Sequence, residues 1–217
     1  MKLVLVDVDF TLYPKGTGPF ALVSERIEDY VMSVLGISRE QTRLLRKEYI
    51  SDFGSTLGGM MHHHKVNPFD FIRHVHDVPV ESLLEKDVRL QEALSRVSLP
   101  MVAFSNGSRP YVERILGALG IGEFFQEIFS IEDMDFIPKP LPGPFEKVLM
   151  RYGYSPFELI LVDDRADNIE TAASLGMHGI LVGAGADCDA EMFISSIYEL
   201  PEAVERMMSQ YRSGGNK

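Results

Sequence analysis

Short, continuously apolar runs constrain this chain more than any other feature. Lys2-Leu3-Val4-Leu5-Val6 after its opening lysine, Met101-Val102-Ala103-Phe104, Leu159-Ile160-Leu161-Val162 and Gly179-Ile180-Leu181-Val182 show no polar alternation. Such runs read as strands buried on both faces, the pattern of a parallel sheet covered by helices. A fifth, shorter strand is read at Glu127-Ile128-Phe129. Helical spacing separates them: Leu90, Ala93, Leu94 and Val97, then Pro110 to about Leu119, Pro144 to Tyr152, and about Asp167 to Leu175. Strands alternating with helices imply right-handed crossovers and a doubly wound α/β core.

The stretch between the first two strands is different. After the loop Tyr13-Pro14-Lys15-Gly16-Thr17-Gly18-Pro19, residues 20 to 88 offer helix after helix and no strand. Val23, Ile27, Tyr30, Val31 and Val34 fall at helical spacing with Ser24 as a candidate cap, and Gly36 ends the segment. Ser38 with Glu40 and Gln41 opens a second helix to about Phe53. A third runs from Leu57 to Lys65, and Asn67-Pro68 opens a fourth. The expected organisation is a discontinuous core, residues 1–14 and 89–217, interrupted by an all-helical cap over 15–88.

Composition limits the partners. The 217 residues, 45% hydrophobic, suffice for one good core with a small accessory unit. A net charge of −11, from 32 acidic and 21 basic residues, argues against nucleic acid or an anionic membrane as the main partner. Any anion site must therefore be built locally. No apolar stretch approaches the roughly 18 to 20 residues of a membrane span, and the start reads as a strand with no secretory signal. The lone Cys188 excludes an internal disulfide framework and suits a reducing cytoplasm. The polar tail Arg212–Lys217 reads as frayed. A monomer or homodimer is expected.

In an open parallel sheet ligands bind beyond the carboxyl ends of the strands, so the residues just past each strand carry the chemistry. Asp7 and Asp9 follow the first, Ser105-Asn106-Gly107 the second and Asp163-Asp164 the fourth, while Pro138-Lys139-Pro140 lies in the loop after the third. Each alone has an ordinary explanation as a turn, a solvated loop lysine or an acidic helix start. Two like charges one residue apart, as in Asp7-Val8-Asp9, are unfavourable unless a cation or a shared proton offsets them. An extended backbone there would turn both carboxylates to one side.

This ordered set, Asp7-Val8-Asp9-Phe10-Thr11, then Ser105-Asn106-Gly107, then Lys139, then Asp163-Asp164 with Asn168, resembles the signature of the haloacid dehalogenase superfamily. The helical insertion after the first motif looks like that family's C1-type cap. The stretch from Tyr49 to Asp77, including Gly59-Met60-Met61-His62-His63-His64-Lys65-Val66-Asn67 and Val75-His76-Asp77, is similar to pyrimidine 5′-nucleotidase-like members.

The resemblance implies Asp7 as a nucleophile forming an aspartyl-phosphate, and Asp9 as the acid and base that serves the leaving alcohol and the attacking water. It implies Mg²⁺ held by Asp7, Asp164 and the main-chain carbonyl of Asp9, with Asp163 a direct ligand or one step removed. Thr11, Ser105, Asn106 and Lys139 are implied to hold the phosphate. Dehalogenases of the superfamily lack an aspartate at the position of Asp9, so its presence implies phosphate-ester hydrolysis.

Phe53, Met60 and His64 are the cap residues expected to contact a flat base. Adjacent histidines on a helix point in different directions, so His62, His63 and His64 do not all face one ligand. The family's basic residue near Gly59 has no counterpart in Leu57-Gly58-Gly59-Met60, which keeps sugar phosphates open as substrates. The expected substrate is thus a small phosphomonoester. A phosphomutase or sugar-phosphate phosphatase of the same superfamily is one alternative. A receiver-like phosphoacceptor module, which is much shorter and has no such helical insertion, is another.

Overall fold

The computed structural model describes residues 1–183 and 190–214, with side chains through Tyr211. Cys188 and the end of the tail, Gly215–Lys217, lie outside the described residues. Among the described residues six parallel strands form one sheet: β1 (Leu3–Val6), β2 (Met101–Phe104), β3 (Phe125–Phe129), β4 (Leu159–Asp163), β5 (His178–Val182) and β6 (Met192–Ile194). Their order is β3-β2-β1-β4-β5-β6. Every residue of β1, β2 and β4 is buried, as their unbroken apolar runs require. β1 pairs with β2 on one side, Val6 opposite Ala103, and with β4 on the other, Val6 opposite Val162. The chain thus winds outward from β1 to β3, then crosses back to β4. That reversal places the switch point, and its crevice, at the carboxyl ends of β1 and β4.

Helices α1 (Phe20–Leu35), α2 (Arg39–Phe53), α3 (Thr56–His64) and α4 (Pro68–Val75) follow β1 and pack on one another. Ser38 caps α2 with a reciprocal capping box, its Oγ accepting from the Gln41 amide while Gln41 Oε1 accepts from the Ser38 amide. Asn67 caps α4 with Pro68 in its first turn. The cap expected at Ser24 is not formed. Helix α1 begins a turn earlier, after Pro19, and the Ser24 oxygens accept instead from Arg46. These helices hold a small core of their own, Val31, Tyr49 and Met60. Gly59 is required there, since a Cβ would meet the Tyr49 ring at 2.1 Å. The short α5 (Val80–Leu83) packs on α7 (Arg109–Leu119), and α6 (Val88–Ser95) on α10 (Leu200–Gly214). Helices α8 (Pro142–Tyr152) and α9 (Ala166–Ser174) complete the crossovers.

Among the described residues three elements lie beyond the expected set, the short α5, β6 and α10. The tail read as frayed is in part the end of α10, which continues to Gly214. Among the described residues no helix is long and apolar enough to cross a membrane.

Candidate active site

The strand order brings the ends of β2, β1 and β4 side by side, and the residues past them converge. The Asp7 amide donates to the Val162 carbonyl (2.8 Å), extending the ladder by one residue beyond β1. The backbone then leaves the extended form, so the condition for both carboxylates to emerge on one side is not met. A bond from the Leu12 amide to the Val8 carbonyl (3.0 Å) closes a tight turn, and Phe10 sits at φ 66°. A bulky residue in the left-handed region is strained and persists only where its surroundings impose it. The turn separates the two carboxylates. Asp7 points to a buried lysine, and Asp9 to a pair of tyrosines.

Lys139 is 2% exposed and is the hub of the first group. Its ammonium donates to Asp7 Oδ1 (2.9 Å), Asp163 Oδ2 (2.8 Å) and the Phe104 carbonyl (2.7 Å). Asn106 clamps the lysine's backbone from both sides, its Nδ2 donating to the Lys139 carbonyl and its Oδ1 accepting from the Lys139 amide. Thr11, expected on the phosphate, donates its hydroxyl to Asp7 Oδ2 (3.0 Å) instead, because the turn folds it back. Ser105 is buried, and its Oγ accepts from the Gly107 amide. Asp163 is fully buried, and both of its oxygens are occupied: the Arg165 amide and Asn168 Nδ2 reach Oδ1, and Lys139 and Asn168 Nδ2 reach Oδ2. Asp164 pairs with the exposed Lys15 at 2.9 Å.

Burial pushes the Asp7 carboxyl up against the pull of Lys139, and the neighbouring Asp163 adds to the rise. Burial alone would pull Lys139 down, but Asp163 and Asp7 outweigh it, so the ammonium keeps its proton. With Asp7, Asp163 and Asp164 all ionised, Lys139 and Lys15 leave one negative charge of this group unmatched. Asp7, Asp163 and Asp164 each bring a carboxylate oxygen within 4.8 Å of the others. Such an all-oxygen donor set fits a hard divalent cation. Asn168 Oδ1, buried and without a hydrogen-bond partner among the described residues, adds an acceptor beside this group. The Asp9 carboxylate is not part of the group, the sequence reading having given the metal only the main-chain carbonyl of Asp9, and its Oδ1 is held elsewhere.

That oxygen accepts from the Tyr13 hydroxyl and from the Tyr111 hydroxyl (2.9 Å). Burial pushes Asp9 up to about 6 while the two hydroxyls oppose the rise. Both donors fall on Oδ1, which leaves Oδ2 as the oxygen able to carry a proton. The His76 ring, from the end of α4, stacks on Tyr111 at 4.5 Å and 16°. Burial pushes His76 down to about 4, so the imidazole is neutral. Neither tyrosine was singled out from sequence. Tyr13, four residues after Asp9, was visible as a neighbour, whereas Tyr111 carries no local signal.

Asp9, Asn106 and Gly107 share a cavity of about 200 Å³ with residues of α1 to α4, among them Arg46, Thr56, Phe71 and His76. Phe53, Met60 and His64, expected as specificity residues, do not line it. Met60 is fully buried in the small helical core. His64 Nε2 bonds the Tyr49 hydroxyl (2.7 Å) on the exposed outer face, with the His63 ring stacked on Tyr49 and His62 against Phe53. Histidine rings one residue apart spread around a helix, and these two aromatics collect them there. A wider cleft of about 770 Å³ runs between α4 and α7, but none of the strand-end aspartates lines it.

The family model described as haloacid dehalogenase-like hydrolase matches residues 1–176. The phosphoglycolate phosphatase of Pectobacterium atrosepticum is 32% identical over 87 residues, which are 40% of this chain and 37% of that protein. The chain thus spans little more than a third of that relative's length. Among solved structures, the putative HAD-hydrolase YfnB from Bacillus subtilis, bound to magnesium, superposes with a TM-score of 0.62 at 16% identity, over 94% of this chain and 98% of that one. The HAD phosphatase from Thermococcus onnurineus gives 0.60 at 20% identity, with 94% and 98% covered. At those identities the likeness speaks for the fold.

Proposed function

Since the chain belongs to the haloacid dehalogenase-like hydrolases, we propose that it is a Mg²⁺-dependent phosphatase of small phosphomonoesters, closed by helices α1 to α4 as a cap over residues 15–88. One observation carries the reading: a buried lysine bridges Asp7 to Asp163 at the ends of adjacent strands, with Asp164 in reach of the same cation.

Asp7 is the nucleophile. Lys139 and Thr11 hold its two oxygens and so fix its direction. It attacks phosphorus, the bond from phosphorus to the ester oxygen breaks, and the departing oxygen takes the proton from Asp9. Water then gives a proton back to Asp9 and attacks the aspartyl-phosphate, breaking its bond to Asp7 and releasing inorganic phosphate. Positioned proton transfer of this kind is worth roughly 10² to 10⁴ in rate. Tyr13 and Tyr111 orient Asp9 for both transfers. Ser105 and the Asn106 amide receive the phosphoryl oxygens, while Lys139, whose three N–H bonds go to Asp7, Asp163 and the Phe104 carbonyl, supplies fixed positive charge beside them. Asp7, Asp163 and Asp164 would hold the Mg²⁺, which neutralises phosphoryl charge when bound.

The finer reading of the substrate as a pyrimidine nucleoside 5′-monophosphate is carried by the cap stretch Tyr49–Asp77. The cavity beside Asp9 favours a smaller leaving group, since pockets for ligands of drug size hold about 300 to 1,000 Å³. The test is phosphate release from p-nitrophenyl phosphate, UMP, CMP and small alkyl phosphates, with EDTA and after Mg²⁺ is restored. Release that EDTA abolishes and Mg²⁺ recovers is expected. No release from any ester, or release indifferent to EDTA, overturns the reading.

A further inference from the structure

Glu28, buried in α1, has more cationic partners than it can neutralise. Arg39 reaches it at 2.8 Å, Arg43 at 3.0 Å and Arg46 at 3.4 Å, and Arg39 also holds Asp29 at 2.7 Å. Among the described residues this cluster sets three guanidinium groups against two carboxylates. Arg39 and Arg43 have side chains 44% and 64% exposed, so water screens them, but Arg46 is only 16% exposed. Its remaining partners are neutral: the Ser24 carbonyl at 3.1 Å and, at longer range, Ser24 Oγ at 3.3 Å and Thr56 Oγ1 at 3.4 Å. Burial disfavours its charge, and Glu28 does not make up the deficit. The unbalanced positive charge of the cluster therefore lies on Arg46.

Arg46 lines the cavity that holds Asp9. The walls around it are largely apolar, with Phe20, Val23, Ile27 and Leu57 among them. The other guanidinium there, Arg165, is spent on Asp167 through Nε (2.9 Å) and Nη2 (2.5 Å). A leaving group released beside Asp9 thus meets apolar walls and one under-compensated guanidinium. A guanidinium fork matches a planar carboxylate, and such charge-assisted pairs are strong where water is excluded.

Resting on the phosphatase reading, we propose that Arg46 is a recognition site for a carboxylate on the leaving group, which makes the substrate the phosphate ester of a short hydroxy acid. The test compares phosphoglycolate with 2-hydroxyethyl phosphate, an ester of similar size that lacks the carboxylate. In the wild-type protein with Mg²⁺, kcat/KM for the acid-bearing ester exceeds that for the neutral one at least about tenfold, as expected of a hydrogen bond to a charged group. Arg46→Met lowers this ratio about 10- to 100-fold, chiefly through KM for the acid-bearing ester, and Arg46→Lys lowers it less. A wild-type ratio at or below one, UMP preferred to both esters, or a ratio unchanged within about twofold in Arg46→Met overturns the proposal. Should Arg46→Met fail to fold, the wild-type ratio and Arg46→Lys decide. If p-nitrophenyl phosphate is hydrolysed while the ratio is at or below one, the subsite falls and the phosphatase reading stands. If no ester releases phosphate, both fall.

Discussion

Two buried ions of opposite sign, Lys139 at the strand ends and Glu28 in the helical layer, are each outnumbered by their partners. Lys139 faces Asp7 and Asp163 with Asp164 close by, and the surplus is negative. Glu28 faces Arg39, Arg43 and Arg46, and the surplus is positive. A buried charge is tolerated only when paired, so an unbalanced cluster marks a place where an ion from outside completes the count. The sheet edge calls for a cation and the helical layer for an anion. A protein of net charge −11 can bind an acidic ester only through such local arrangements.

The largest effect that can break this comparison is at the lysine. Lys139→Met leaves Asp7 and Asp163 facing each other without their ammonium, and breaking a buried pair in this way costs about 3–5 kcal/mol. Urea unfolding measures it. Added Mg²⁺ should recover part of the loss, since the cation replaces the missing charge, and phosphate release should fall as well. A loss under about 1 kcal/mol would mean that the carboxylates do not depend on Lys139.

Glu28→Gln is the counterpart in the helical layer and should cost less, about 1–3 kcal/mol, because two of its three partners are solvent-screened. Burial pushes the Glu28 carboxyl up, but Arg43, Arg39 and Arg46 outweigh it and hold it below its ordinary 4.5. A carboxyl depressed in the folded state contributes stability that is fully present above about 4.5 and is lost as pH falls through its lower folded value. The difference between wild type and Glu28→Gln should therefore be constant near neutrality and shrink in acid. A difference that grows toward low pH contradicts the pairing.

How much of each cluster was legible in the sequence follows from where its partners come from. Asp7, Ser105, Lys139 and Asp163-Asp164 could be found because each stands just beyond a buried strand or in the loop that follows one, and the topology of a parallel sheet alone gathers such positions. Arg46 could not. It is one of several charges on α2, where a run of Arg, Lys and Glu reads as a solvated face, and only the packing of α2 on α1 turns it inward. Tyr111 depends in the same way on the placement of α7. The edge strand β6, three residues long, gave too little pattern to read. Helix α10 did carry one: Leu200, Ala203, Val204 and Met207 fall at spacings of three and four and are all buried.

The smallest predicted effect concerns those tyrosines. Tyr111→Phe removes one of two donors to Asp9 Oδ1, worth about 1 kcal/mol, so kcat for an alkyl phosphate should drop roughly five- to tenfold. The drop should be greater for alkyl phosphates than for p-nitrophenyl phosphate, whose leaving group needs little help from an acid. Equal losses on both would show that Tyr111 serves the fold and not the orientation of Asp9.

The central claim is that Asp7 itself takes the phosphoryl group, and a single substitution tests it most directly. Asp7→Asn keeps the shape of the side chain and removes the attacking oxygen anion. Phosphate release from p-nitrophenyl phosphate with Mg²⁺ should fall by at least about 10⁴, in the range seen when a nucleophile is removed. Release near the wild-type rate would mean that the strand-end aspartate is not the nucleophile and that the chemistry lies elsewhere.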